Sequence, residues 1–541
     1  MFTAVYRWVD RNILELGREL RLSYLPPLMV YVAAGISGLT GIVGTFFVKD
    51  YLGLSAEFLA TLGFWAGIPW SLKMPLGHLV DLIWRWKAGL VFLGAALITA
   101  SLGIMIGLIG YTDLMRGIMP VEAWFVLSTL LAPVGYVVQD VVADAMTVEA
   151  VPRVDAEGRA YPAGTLKLMH TTMQTLGRVA IIGGSVAVAA VNLFMFAGVE
   201  TLPETAKVHI YQNIYTLALV IPVISVLGVV LASVLRMRDV HRLRRKGFSR
   251  TEVHDMLSVH NEAPAPNWWI LGGSLVFVAF TLTMGLADVP WNQEIILGGS
   301  LAIILFLMSR LVKVLEPQAR YVLVGTAIVI FVFRAVPTPG AGSTWWMIDV
   351  LGFDQHFLSV LSLIGSALTL AGMFIFRRFM AEKSIAYVVG FLTVVGTLLS
   401  LPIIGMYYDL HVWTAAHTAG VVDARFIALV DTALESPLGQ IAMIPMLAWI
   451  ANSAPARLKA TFFAVMASFT NLALSLEQLG TKYLNQVFTV TREVRDHATG
   501  AISVPADYSE LGILLITVTA LTFLLPMAAI VFVKLTRFRT A

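Results

Sequence analysis

The sequence contains no cysteine and little charge. Without cysteine there is no disulfide framework, no thiolate metal site and no cysteine nucleophile. Charged residues make up 13% of the 541 positions and hydrophobic ones 58%, against about 25% charged in an ordinary soluble domain. So few polar side chains do not cover a water-facing surface. Long apolar runs also lack the polar breaks at helical period that a soluble core helix shows. Most are roughly 20 residues long, which at 1.5 Å per residue crosses a hydrocarbon core of about 30 Å. Nucleophile-elbow, phosphate-loop and metal-ligand spacings are missing too, and His411 and His417 have no convincing acidic partner. An enzyme is therefore not expected, nor a cofactor, a metal or a nucleic-acid partner. The chain reads as an all-α, multi-pass membrane protein in contact with the lipid bilayer.

Apolar runs between charged clusters predict fourteen spans: 24–48, 53–74, 88–111, 121–147, 164–198, 211–236, 268–288, 293–313, 320–337, 355–376, 385–408, 425–450, 458–487 and 510–534. With both termini cytoplasmic, most Lys and Arg fall on the inner side, as the positive-inside rule requires. No short cleavable signal precedes the first span. Residues 1–23 instead place Val5, Trp8, Val9, Ile13 and Leu16 at a spacing that suits an interfacial helix, with Arg7, Arg11, Arg18 and Arg21 around them. A polar start to the first span is the other reading. The segment 237–267 is the longest predicted cytoplasmic connection. Its basic run, Arg236 to Arg250, reads as a positive-inside anchor, or as a contact for anionic lipid.

A repeat divides the chain further. FFVKDYLGLSAEFLATL at 46–62 aligns without gaps with WWMIDVLGFDQHFLSVL at 345–361. Asp50/Asp349, Leu52/Leu351, Gly53/Gly352, Phe58/Phe357, Leu59/Leu358 and Leu62/Leu361 are identical pairs. Each copy joins the first and second spans of a six-helix unit, so 24–236 and 317–541 are predicted to be homologous bundles, with an extra pair of spans at 268–316. Parallel repeats of this kind build two-bundle secondary transporters.

Ionisable groups inside spans are costly and therefore mark candidate functional positions. The fourth span, GYVVQDVVADAMTVEAVP, stacks Asp140 and Asp144 on one helical face, with Gln139 adjacent and Glu149 near the inner end. Two carboxylates this close repel, which favours one of them holding a proton and suits proton coupling. Ion pairing to a neighbouring helix is the alternative role. The fifth span supplies Lys167, His170, Gln174 and Arg178 as one polar stripe, a set of possible partners. In the second half, Arg334 precedes AVPTPGAGS, whose Pro337 and Pro339 should end its helix. Asn471, Ser475 and Gln478 form another single-face set, with Glu477 beside them. Asp431 and Glu435, nearer the outer end of their span, suit a gate. This distribution suggests charge coupling in the first half and hydrogen-bonded substrate recognition in the second.

The loop after the second span, WSLKMPLGHLVDLIWRWKAG, resembles the loop between helices 2 and 3 of the major facilitator superfamily. Gly77 and Asp81 match its glycine and aspartate, and Arg85 and Lys87 remain of its basic run, which makes these four the gating candidates. IPWSLKMPLGHLVD, QDVVADAMTVEAVP, RAVPTPGAGSTWWMIDVLGFDQHFLSVLSLIGSALTLAG and APARLKATFFAVMASFTNLALSLEQLG together resemble the folate-biopterin transporter family of that superfamily. The resemblance implies uptake of a folate or pterin by alternating access, driven by protons. It assigns function to Lys73, Asp81, Asp140, Asp144, Arg334 and Asn471. The expectation is thus a monomeric symporter of a small organic anion in a bacterial inner (plasma) membrane. Asp140, Asp144 and Glu149 would couple protons. Lys73, Gln139, His170, Gln174, Arg178, Arg334, Asn471, Ser475 and Gln478 would bind substrate. A muropeptide-type permease and a non-transporting assembly factor for pigment-protein complexes are the alternatives.

Overall fold

The structure, a computed structural model, describes residues 15–48, 54–71, 73–83, 86–155, 157–199, 202–257, 268–287, 289–313, 316–376, 379, 383–439, 441, 459–495 and 502–540. The start of the N-terminal segment, Asp50 to Gly53 of the repeat, Arg85, the end of the 237–267 connection and the ends of two expected spans around 442–458 lie outside these residues. The described chain is almost wholly helical. In chain order come α1 (Leu22–Phe47), α2 (Ala56–Ser71), α3 (Lys73–Leu82), α4 (Lys87–Gly110), α5 (Val121–Ala150), α6 (Ala163–Met195), α7 (Ala206–Arg245) and α8 (Arg250–Leu257). Next are α9 (Trp268–Leu286), α10 (Asn292–Val312), α11 (Pro317–Arg334), α12 (Ala341–Asp349), α13 (Gln355–Ile375), α14 (Ile385–Tyr407) and α15 (Leu410–His417). The chain ends with α16 (Ala424–Glu435), α17 (Lys459–Val487), a small hairpin of β1 (Val494–Arg495) and β2 (Ile502–Val504), and α18 (Leu511–Leu535).

Eleven of these helices are long and apolar enough to cross a membrane: α1, α4, α5, α6, α7, α9, α10, α11, α13, α14 and α18. Their outer faces carry large apolar side chains in the open, among them Phe194 at 82% exposure and Leu275 at 71%. In water such a surface would aggregate; against lipid tails it is solvated. The three remaining expected spans correspond to α2, of 16 residues, α16, of 12, and the 29-residue α17.

Small residues set the tightest helix contacts. A Cβ built on Gly35 of α1 would lie 2.1 Å from the carbonyl oxygen of Ile181 on α6, and one on Gly94 of α4 would lie 2.6 Å from that of Gly135 on α5. Backbones that approach this closely exclude any side chain, as in small-residue membrane interfaces. One apolar core joins α1, α4, α5, α6 and α7 around Val43, Ile98, Leu108 and Ile214. Another joins α10, α11, α14, α17 and α18, and takes in Phe64 and Ile68 of α2. Helices α9 and α10 pack on each other and α10 on α17, where Lys482 donates to Gln293 (3.0 Å) and Tyr483 to Glu294.

The repeat has a structural counterpart in its described part. Ser55 accepts from the backbone N–H of Phe58 (3.0 Å) at the start of α2, and Asp354 accepts from that of Phe357 (2.6 Å) at the start of α13. The two caps fall at equivalent positions of the aligned segments, so both copies start a helix by the same device.

Candidate functional site

The polar interior of the first half gathers around Lys73. This residue opens α3 immediately after α2 has ended at Ser71, which carries its side chain across to α5. Asp140 and Asp144 lie one turn apart on α5, so one ammonium reaches both. Nζ of Lys73 stands 2.6 Å from Asp140 Oδ2 and 2.8 Å from Asp144 Oδ2. The hydroxyl of Tyr31 on α1 donates to the other Asp144 oxygen at 2.7 Å. Lys73 and Asp140 side chains are each 17% exposed, whereas that of Asp144 is 41% exposed. Asp144 is therefore the carboxylate that meets solvent. Two carboxylates facing one ammonium leave one negative charge, which a proton or a cationic group can neutralise. Arg178 of α6 lies within electrostatic range of Asp140 and of Tyr31.

The cation in contact with both acids thus comes from α3, while Arg178 of the expected α6 stripe acts on Asp140 at electrostatic range. Lys167 has its side chain outside the described residues, and His170 is exposed. Gln174 donates to Thr147 Oγ1 (3.1 Å), and Thr147 in turn donates to the backbone carbonyl of Asp144 (2.7 Å). Gln139 is buried away from this group. Its amide donates to Val91 O (3.2 Å) and its carbonyl accepts from Ser225 (2.9 Å), which ties α5 to α4 and α7. Glu149 pairs with Lys87 at 2.7 Å, further along α5 at the start of α4. Gly77 and Asp81 lie on α3, but the Asp81 side chain and the whole of Arg85 fall outside the described residues.

In the second half, Arg334 is the last residue of α11 and lies within electrostatic range of Arg178. The Asn471, Ser475 and Gln478 set faces α2. Asn471 Nδ2 donates to the carbonyl of Trp70 (3.1 Å). Opposite Ser475 and Gln478 are glycines: a Cβ on Gly67 would lie 3.1 Å from Ser475 Oγ, and one on Gly63 2.5 Å from Gln478 Oε1. The polar stripe of α17 is thus seated on a Gly-x-x-x-Gly strip of the first half, a seam that runs out to Gln486, which donates to Glu57 (2.6 Å).

Two contacts of the interior carry no signal in the sequence, that of Tyr31 with Asp144 and that of Glu477 with Thr338. Tyr31 sits in an apolar run whose only polar signal is its hydroxyl. Glu477 on α17 belongs to a lattice with the break between α11 and α12, which falls at Pro337 and Pro339 as expected. Thr338 Oγ1 donates to Glu477 (3.1 Å), Thr338 N donates to Thr481 Oγ1 (2.9 Å), and Asn485 donates to Pro339 O (3.2 Å). Gly340 closes the break at φ +76°, a left-handed conformation that suits glycine. A cavity of about 500 Å³ opens beside it, lined by both halves.

Comparison with known proteins places this arrangement. A folate-biopterin transporter of Synechocystis sp. is 24% identical over 483 residues, covering 87% of this chain and 76% of the relative. Among solved structures, an auto-inhibited POT family peptide transporter superposes with a TM-score of 0.58 at 12% identity, over 97% of this chain and 98% of its own. A variant of the nucleoside transporter NupG gives 0.52 at 10% identity, over 94% and 99%. At these identities the likeness is one of fold. The sequence pattern of the BT1 family matches residues 34–537. The chain belongs to the BT1 family, whose relative here is a membrane transporter.

Proposed function

We propose that this protein is a proton-coupled secondary transporter of a small organic anion, of the folate or pterin kind, working by alternating access. The observation that carries the reading is Lys73 between Asp140 and Asp144, with Asp144 half open to solvent inside the bundle. A charged triad of this kind is costly among apolar helices unless it is used. A proton arriving on Asp144 would release Lys73 from one of its two partners, and the proton's departure would restore the pair. Arg178 from one half and Arg334 from the other repel each other, so an anion set between them is favoured by both and draws the halves together. The name of the Synechocystis relative supports a folate or a pterin as that anion.

In this reading the chain crosses a bacterial inner membrane fourteen times, as bundles 24–236 and 317–541 around the pair in 268–316. Both termini are cytoplasmic and the unit is a monomer. Gly77, Asp81, Arg85 and Lys87 gate the inner side, and the Lys87–Glu149 pair belongs to that gate rather than to proton transfer.

Proteoliposomes loaded with purified protein provide the test. Radiolabelled folate or pterin uptake should rise when the outside is acidified, and Asp144→Asn should abolish that acceleration. Uptake that keeps its pH dependence in Asp144→Asn rejects the coupling role. A protein that moves neither compound rejects the substrate class.

A further inference from the structure

The C-terminal end of α7 projects further than a membrane requires. The helix has 40 residues, about 60 Å at 1.5 Å per residue, against a hydrocarbon thickness of roughly 30 Å. No Asp, Glu, Lys, Arg or His stands between His209 and Arg236. Arg236 therefore marks the level at which α7 leaves the hydrocarbon, and the turns from there to Arg245 run through headgroup depth and beyond.

The two faces of this end differ. On one, Leu235 and Leu243 are buried, and Leu243 lies with Phe248 against Gly158 in the turn after α5. Asp239, the one acid between Arg236 and Arg250, is half-buried and paired with Arg242 at 3.3 Å. The other face carries Arg236, His241 and Arg244, all exposed, around a shallow hollow of about 450 Å³ that Ser233, Met237 and Val240 also line. Among the described residues no carboxylate pairs with Arg236 or Arg244. Arg236 also lies within electrostatic range of Lys87, a like charge. The positive-inside rule accounts for many basic residues at this end, but not for a face from which the acid is turned away.

An apolar track leads straight into this hollow. Leu227, Val230, Val234, Met237 and His241 follow one another at intervals of three and four residues, so they share one side of the helix. All five are exposed. The surface is thus apolar through the depth of a lipid tail and basic at the depth of its headgroup. A free phosphate would use only the second part. We propose that this face of α7 is a binding site for an anionic phospholipid, with the acyl chain along Leu227, Val230 and Val234 and the headgroup phosphate between Arg236 and Arg244. Arginine suits that role, because its guanidinium meets phosphate oxygens two at a time. In the topology proposed above the lipid belongs to the cytoplasmic leaflet.

The test uses the purified full-length protein in a neutral detergent, titrated with phosphatidylglycerol, phosphatidylcholine or glycerophosphate. Affinity is read from the ligand-induced thermal shift and from lipid retained in native mass spectrometry. The wild type should bind phosphatidylglycerol roughly tenfold or more tighter than phosphatidylcholine, and glycerophosphate far more weakly than either, with about fivefold expected from each arginine. The double variant Arg236→Gln/Arg244→Gln should lose most of the preference. Arg310→Gln/Lys313→Gln, an equal loss of charge at the end of α10, should keep it. Equal binding of the two phospholipids by the wild type overturns the proposal, and that comparison requires no variant to fold. A preference that survives in Arg236→Gln/Arg244→Gln also overturns it, as does one lost equally in both double variants, since general surface charge would then suffice. Glycerophosphate binding as tightly as phosphatidylglycerol reveals a free-phosphate site and rejects the lipid.

Discussion

Lys73 and Asp140, 67 residues apart in sequence, meet at 2.6 Å where α3 crosses α5. The contact holds the start of α3 against the middle of α5 and leaves Asp144 as the more exposed second partner.

Removing the cation should cost more than removing either acid. Lys73→Met leaves two carboxylates one turn apart without a counter-charge, a loss of about 3 kcal/mol or more of stability. Asp144→Asn should cost less than Asp140→Asn, because water already reaches Asp144. Adding Asp140→Asn to Lys73→Met should recover part of the loss. Thermal unfolding of the four proteins in detergent checks the order, and strict additivity would show that the pair is not coupled.

Two glycines at helix contacts should respond differently to the same small change. A methyl group on Gly35 meets a backbone carbonyl at 2.1 Å, which cannot swing aside. Gly35→Ala should destabilise by roughly 2 kcal/mol or more. At Gly63 the obstruction is the far end of the flexible Gln478 side chain, so Gly63→Ala should be close to neutral. Expression level and melting temperature of the two variants give the comparison.

The helix caps of the repeat should be unequal in strength. Ser55→Ala removes one cap, a loss of about 1 kcal/mol. Asp354→Ala removes the equivalent cap and also the partner of Arg425, whose Nη2 lies 2.7 Å from Asp354 Oδ2. The second variant should therefore melt lower than the first. Asp354→Ser, which keeps the cap alone, should fall between wild type and Asp354→Ala.

Acid should loosen the turn after α5. The backbone N–H and guanidinium of Arg159, with the N–H of Glu157, hold the Asp155 carboxyl below the usual carboxylate range. A depressed value in the folded state means the turn is stabilised above the ordinary carboxylate value of about 3.9. That contribution is lost as pH falls through the lower, folded value. Hydrogen exchange at the Glu157 and Arg159 amides, followed from pH 6 downward, should accelerate below about pH 4, and Asp155→Asn should exchange fast throughout.

Much of the fold was readable because membrane helices are set by length and polarity, both local properties. Eleven expected spans are present as such. The other three carry polar or glycine-rich faces, as α2 and α17 do, or are short, as the 12-residue α16 is. The site was readable only where its residues share a helix. Asp140 and Asp144 announce a common face by their spacing, but nothing in it says that Lys73, not α6, supplies the counter-charge. Resemblance alone placed Lys73 among the functional positions. Asn471, Ser475 and Gln478 show why a polar stripe is ambiguous: it fits a cavity wall and a helix seam equally well. The complement that decides is Gly63-x-x-x-Gly67, some 400 residues earlier.

That seam bears on how the two halves of the sequence are joined. Gly63 and Gly67 bring the backbone of α2 close to Gln478 and Ser475 of α17, while Phe64 and Ile68 beside them are buried in the apolar core that α17 shares. Hydrogen bonds cross it from Asn471 to the Trp70 carbonyl and from Gln486 to Glu57. It acts as a clasp: a shared apolar core and polar contacts at both ends hold α2 of the first half to α17 of the second.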